Sequence, residues 1–224
     1  MKYGPKIVTD GLVLCLDAAD KNSYPGTGTI WRDLSGNGNN GTNYNMTYSL
    51  NNGGEFDFND VSSVSLIPNS ASLNPTTGLT IESWVNFDGN SADFIFEKGN
   101  VNTQFSLFSH STDIVFRTYH SGGGHTQGPS KVSVGVVNGQ WHHIVASWDG
   151  STKSIYVDGI LRNSVSRSGN LVTQTTDAAV GRFGGTTAGY YFGGYISKVA
   201  LYSRGLNATE IKQNYNTTKT RFGY

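Results

Sequence analysis

The sequence predicts an all-β fold, an antiparallel two-sheet sandwich or jelly roll with one short C-terminal helix. Three observations carry that prediction. Apolar residues alternate with period two through many short segments. Glycine and Asx-Gly turn signals punctuate those segments at short spacing. No strand–helix–strand rhythm of the kind that builds a parallel sheet is present. The 224 residues include 29 glycines, 12 tyrosines and 11 phenylalanines. The glycines follow no three-residue period, which excludes a collagen. With 14% charged and 12% aromatic residues, the chain has the volume for a packed core and too little charge to stay unfolded. Sandwiches of this kind run to roughly 200–250 residues as one unit. We therefore read one domain over 1–224, with a short N-terminal arm (1–10) and a polar C-terminal tail (215–224).

The elements follow in order. Residues 11–17 (GLVLCLD) read as a strand buried on both faces, and 54–59 (GEFDFN) alternate strictly, with Phe56 and Phe58 on one face. Strands follow over 63–67 and 79–87, where Leu79, Ile81, Ser83, Val85 and Phe87 share a face. Further strands are expected over 94–97, 104–108, 113–119, 140–148, 154–158, 178–182 and 194–202. Asp149-Gly150 and Asp158-Gly159 supply the positive φ that tight hairpins need. In 205–214, Asn207 can cap a helix of about two turns, with Glu210 three residues on to close a capping box. Trp84, Trp141, Phe56 and Phe58 are assigned to the sandwich core.

Bulk properties exclude several function classes. Sixteen Lys+Arg balance sixteen Asp+Glu, which removes the electrostatic case for nucleic acid or an acidic membrane as partner. The single cysteine, Cys15, allows no internal disulfide and reads as a small apolar side chain in a buried strand. The opening MKYGPKI lacks the apolar stretch of a signal peptide, so synthesis in a cytoplasm is expected. No apolar run reaches the roughly 20 residues that cross a bilayer.

Three segments carry a family resemblance. They are 11–18 with WRDLSGNGNNGT (31–42), GQWHHIVASWDG (139–150) with IYVDG (155–159), and GGYISKVALYSRGL (193–206) with ATEIKQNY (208–215). Together they resemble the concanavalin A-like lectin/glucanase superfamily, in its laminin-G-like and pentraxin-like branch. The resemblance implies a jelly roll of two curved antiparallel sheets with a short helix near the C-terminus. The ending at 214–223 is most similar to domains of tailed-phage virion proteins. That implies a fibre, decoration or adhesin module on a virion, with other virion proteins or further copies of the chain as partners.

Candidate chemistry is sparse. Glucanases of the family place two acids on one strand face through Glu-x-Asp-x-x-Glu. Here EFDFND (55–60) ends in Asp60, and Phe56 and Phe58 already explain it as an amphipathic strand. Glu97-Lys98 reads as a turn-flanking charge pair. No Gly-x-Ser-x-Gly elbow is present. His142 and His143 point to opposite faces of one strand and cannot share a metal. His120 and His125 bracket a glycine-rich loop, which reads as an ordinary loop or as a mobile tip carrying ligand contacts. Calcium is the family's commonest metal, and 33–40 offers oxygen donors around Asp33. Many relatives carry an acid after Gly-x-Ile, where this chain has Ser197, so calcium is not favoured and no cofactor or metal is assigned.

Sugar binding needs aromatic faces for CH surfaces and planar amides for hydroxyls. Tyr190, Tyr191 and Phe192 stand between glycines and are the leading ligand-binding candidates, with Trp31 as a further contributor. An aromatic subunit contact explains the same residues equally well. The expected function is a non-enzymatic virion structural protein, with a glycan-binding module on a cell-surface glycan as the alternative and a glycoside hydrolase or lyase third.

Overall fold

Period-two alternation becomes two antiparallel sheets packed face to face. The computed structural model describes residues 6–89, 93–99, 104–110, 113–121, 124–127, 138–184 and 190–224, with only the backbone of 124–127. The strands are β1 (Leu12–Asp17), β2 (Ile30–Trp31), β3 (Gly41–Tyr44), β4 (Thr47–Ser49), β5 (Glu55–Asn59), β6 (Val64–Ile67), β7 (Leu79–Phe87) and β8 (Phe94–Lys98). They continue with β9 (Phe105–His110), β10 (Asp113–His120), β11 (Gly124–Gln127), β12 (Trp141–Trp148), β13 (Thr152–Val157), β14 (Ile160–Ser166), β15 (Ala178–Val180) and β16 (Gly193–Tyr202). One helix, α1 (Ala208–Thr218), and a 3₁₀ turn over Lys219–Phe222 end the chain.

The first sheet runs β14-β13-β12-β7-β16-β5-β4, with β1 also on β16, and the second runs β11-β10-β9-β8-β15-β6-β3-β2. One side of β16 is shared end to end, by β5 at Gly193–Ile196 and by β1 at Lys198–Tyr202. Gly54 sits where those two strands abut. Its φ is +151°, and a Cβ there would lie 2.2 Å from the Ala18 carbonyl oxygen. The Asx-Gly hairpins form as expected, with Asp158 (φ 55°) and Gly159 (φ 72°) joining β13 to β14. Strands β2, β3, β4, β11 and β14 were not foreseen by alternation, because they are short, polar or, in β14, exposed along nearly their whole length.

Between the sheets, Phe56, Phe58, Ile81, Val85 and Phe87 meet Ile95, Phe96, Leu107, Phe116 and Val180. Trp84 and Trp141 are not in this layer, contrary to the sequence expectation. They lie on the outer face of the first sheet, under the C-terminal segment. Phe222 stacks on Trp84 at 4.1 Å and 17°, Tyr215 stacks at 5.9 Å and 18°, and Trp84 Nε1 donates to Thr218 Oγ1 at 2.8 Å. Residues 215–224 therefore close over their own sheet.

Helix α1 begins as predicted. The Asn207 side chain accepts from the Thr209 and Glu210 amides, and Glu210 accepts from the Asn207 amide. Beneath it lies a buried polar cluster. Glu82 Oε2 accepts from Asn214 Nδ2 at 2.5 Å, with His143 Nε2 3.2 Å and Lys198 Nζ 3.9 Å from Oε1. Those donors and the nearby cations hold the Glu82 carboxyl below its usual range against the opposing effect of burial. The arm joins the same cluster, as the Val8 amide donates to Asn214 Oδ1 and Tyr202 OH donates to the Val8 carbonyl. Cys15 is buried as expected, and burial pushes its thiol up to about 11. Glu97 and Lys98 are not a turn pair. Both are buried in β8, and Lys98 Nζ donates to Asn69 Oδ1 and to the Gln174 and Thr176 carbonyls.

Candidate functional site

The two outer faces differ. Helix α1 and the tail cover much of the first, whereas aromatic side chains and adjoining loops flank the second. Phe94 and Phe108 are cross-strand partners and stack at 4.5 Å and 10°. The Arg117 guanidinium lies 4.8 Å above the Phe108 ring, and Phe183 tilts against Phe94 at 4.9 Å. Tyr190 completes the group, with its ring 6.3 Å from both Phe94 and Phe183 and its side chain 61% exposed. The backbone holds it there, because the Phe183 amide donates to the Tyr190 carbonyl and Arg182 bridges to Tyr191. An exposed ring on an aromatic base offers the flat apolar surface that sugar CH groups or a partner's side chains pack against.

The other sequence candidates are placed elsewhere. Phe192 is fully buried between the sheets, edge-on to Phe58 at 5.8 Å. Trp31 is also fully buried, 4.7 Å from Phe56. His120 is buried against Trp148 rather than on a loop tip. Its Nε2 is 2.9 Å from Thr118 Oγ1 and its Nδ1 is 2.7 Å from the Gly169 carbonyl, and burial lowers its pKa. The His125 side chain lies outside the described residues. Tyr190 is the candidate brought to this aromatic surface, and its neighbour Tyr191 is half-buried.

The hydrolytic and metal options can be tested on their own residues. Glu55 is buried and accepts from Ser49 Oγ, Asn51 Nδ2 and Asn52 Nδ2, which leaves no geometry for a nucleophile opposite an acid. Asp33 accepts the Cys15 and Ser35 amides on Oδ1, and Ser35 Oγ and the Asn39 amide on Oδ2. A carboxylate so occupied by donors does not fit a calcium ligand. At Ser197, Arg221 Nη2 donates to Oγ at 2.7 Å while its Nη1 pairs with both Asp17 oxygens. A guanidinium from the tail occupies that place. No helix among the described residues is long and apolar enough to cross a membrane.

A laminin-G family model, of the concanavalin A-like lectin/glucanases superfamily, matches residues 58–212. The chain belongs to this superfamily. Among solved structures, the superfamily sandwich seen here is similar to the binding domain of Paraclostridial mosquitocidal protein 1 (TM-score 0.73, 14% identity, 93% of this chain and 52% of that one). It is also similar to the receptor-binding domain of botulinum neurotoxin type G (0.67, 16%, 92% and 51%). A third similarity is to a botulinum neurotoxin type C structure reported for cell entry through two ganglioside molecules (0.69, 10%, 94% and 52%). This chain spans about half the length of each, and at these identities the likeness is one of fold. The sequence matches no curated protein.

Proposed function

We propose that the chain is a non-enzymatic carbohydrate-binding module that holds a cell-surface glycan against the outer face of its second sheet. The observation that carries this reading is Tyr190, 61% exposed on a base of Phe94 and Phe183. Its sugar-facing role follows from the chemistry of aromatic platforms. Glu55, held by three side-chain donors, supports the absence of hydrolysis. The similar solved structures, binding domains of toxins, support a recognition role on the same fold. The setting we propose is a tailed-phage virion, as the sequence resemblance implies, with the module displayed in several copies.

A glycan array tests the reading. The wild-type protein should bind at least one glycan class. Tyr190→Ala should weaken that binding about tenfold, the scale of one aromatic contact, with an unchanged melting temperature. An array without signal, or full binding by Tyr190→Ala, would overturn it.

A further inference from the structure

Beside the C-terminal segment, the outer face of the first sheet keeps one strip that reaches solvent. Cross-strand register places Thr47, Asp57, Tyr195, Asn86 and Trp141 side by side, on β4, β5, β16, β7 and β12 in turn. Directly opposed residues of neighbouring strands project from the same face. Thr47, Asp57 and Tyr195 are exposed and Asn86 and Trp141 are half-buried, so the whole row reaches solvent. Trp141 is the end of the row that borders the C-terminal segment, with the Phe222 ring 4.8 Å away and Tyr224 OH donating to the Trp141 carbonyl. Tyr195 is 37% exposed although β16 is an interior strand of the first sheet.

Two residues along β16 from Tyr195, Gly193 opens the strip further. A Cβ at Gly193 would lie 2.3 Å from Asp88 Oδ2, so the absent side chain lets that carboxylate lie against the strand at Gly193. Asp57, Asp60 and Asp88 are all exposed here. Burial raises the pKa of Asp57 and of Asp60, with Glu55 and then Asp88 adding to the rise at Asp57 and Asp88 adding to it at Asp60.

We propose that this row is a second carbohydrate-binding site, separate from the Tyr190 surface on the opposite face, and that it takes a neutral polysaccharide chain lying across the strands. Tyr195 and Trp141 are two strand spacings apart, about 9–10 Å. That separation lets two rings of an extended sugar chain stack while the one between them passes over Asn86. The Asn86 amide and the Asp57 and Asp88 carboxylates supply planar hydrogen-bonding groups for hydroxyls. The same carboxylates repel uronate, sialate and sulfate groups, which fixes the ligand class as uncharged. A protein partner fits less well, because polar groups separate the two rings and no contiguous apolar patch forms.

Affinity electrophoresis of the whole chain in gels of a neutral β-glucan, mannan or xylan, with alginate as the acidic counterpart, tests this. The wild type should be retarded by at least one neutral polymer and not by alginate. Tyr195→Ala should weaken that retardation about tenfold, with an unchanged melting temperature, both in the otherwise wild-type chain and in a Tyr190→Ala background. Absence of retardation by every neutral polymer, retention by alginate alone, or full binding by a folded Tyr195→Ala protein would each overturn the second site. Loss on Tyr190→Ala with no effect of Tyr195→Ala would overturn the second site and leave the Tyr190 reading standing.

Discussion

Asp93 is buried just before β8, where its Oδ1 accepts the Gly193 amide at 2.9 Å and its Oδ2 accepts Ser109 Oγ at 3.2 Å. Burial pushes its carboxyl up to about 6, with Asp88 and Asp60 adding to the rise and the two hydrogen bonds opposing it. The folded chain therefore holds this proton more tightly than the unfolded chain does. The stability so gained is complete below about pH 4 and is lost as pH rises from about 4 to about 6. Asp93→Asn keeps an acceptor for Gly193 and removes the buried charge. It should stabilise the protein by about 1–2 kcal/mol at pH 7 and by almost nothing at pH 4, as read by urea unfolding at both. Equal effects at the two values would show that Asp93 does not titrate in this window. At the same scale the sequence picked out Tyr190 correctly and Phe192 wrongly as surface residues. Period-two reasoning needs a continuous strand, and β16 starts only at Gly193, so 190–192 approach it as irregular chain that turns Phe192 inward.

The C-terminal segment shows what an element adds that alternation cannot foresee. In β7, Ile81, Val85 and Phe87 face the sandwich core, while Thr80, Glu82 and Trp84 face outward yet are fully buried. Thr80 is capped by the segment at Arg204 and Leu206, and Glu82 and Trp84 by α1 and the turn after it, all more than 120 residues later in the chain. Phe222→Ala removes the ring that stacks on Trp84 at 4.1 Å and on Trp141 at 4.8 Å. We expect a loss of about 2–3 kcal/mol, somewhat below a fully enclosed core site because it lies near the end of the chain, together with a red shift of Trp84 fluorescence. A melting temperature within a degree of wild type would mean that the tail is not a structural cover. The strongly alternating strands, both Asx-Gly hairpins and both halves of the Asn207–Glu210 capping box were legible in the sequence, because each rests on neighbours within a few residues. The second burial layer was not. The sequence assigns Trp84 to the core between the sheets, and nothing local to Glu82 or His143 shows that a distant helix is laid over them. The row from Thr47 to Trp141 was hidden for the same reason, since register alone brings its five residues together.

At the scale of the molecule, two aromatic surfaces face away from each other on a body of zero formal net charge. A flat sugar platform built on one or two rings forms few contacts, so a single module binds weakly. Display in several copies converts weak sites into firm attachment, by about 10²–10⁴-fold when the spacing of copies matches the spacing of sugars. The proposed virion setting supplies that multiplicity, and the balanced charge keeps closely spaced copies from repelling one another. Particles carrying the wild-type chain should therefore adhere to a surface coated with the glycan it binds far more tightly than the free protein does. Particles carrying Tyr190→Ala should lose most of that gain, because a tenfold loss per site compounds over simultaneous contacts. Surface plasmon resonance of both particle types and of the free protein on one coated surface makes the comparison. Equal adhesion by free chain and particle, or a chain that purifies away from particles altogether, would remove the virion setting while leaving the single-site binding measured on the array untouched.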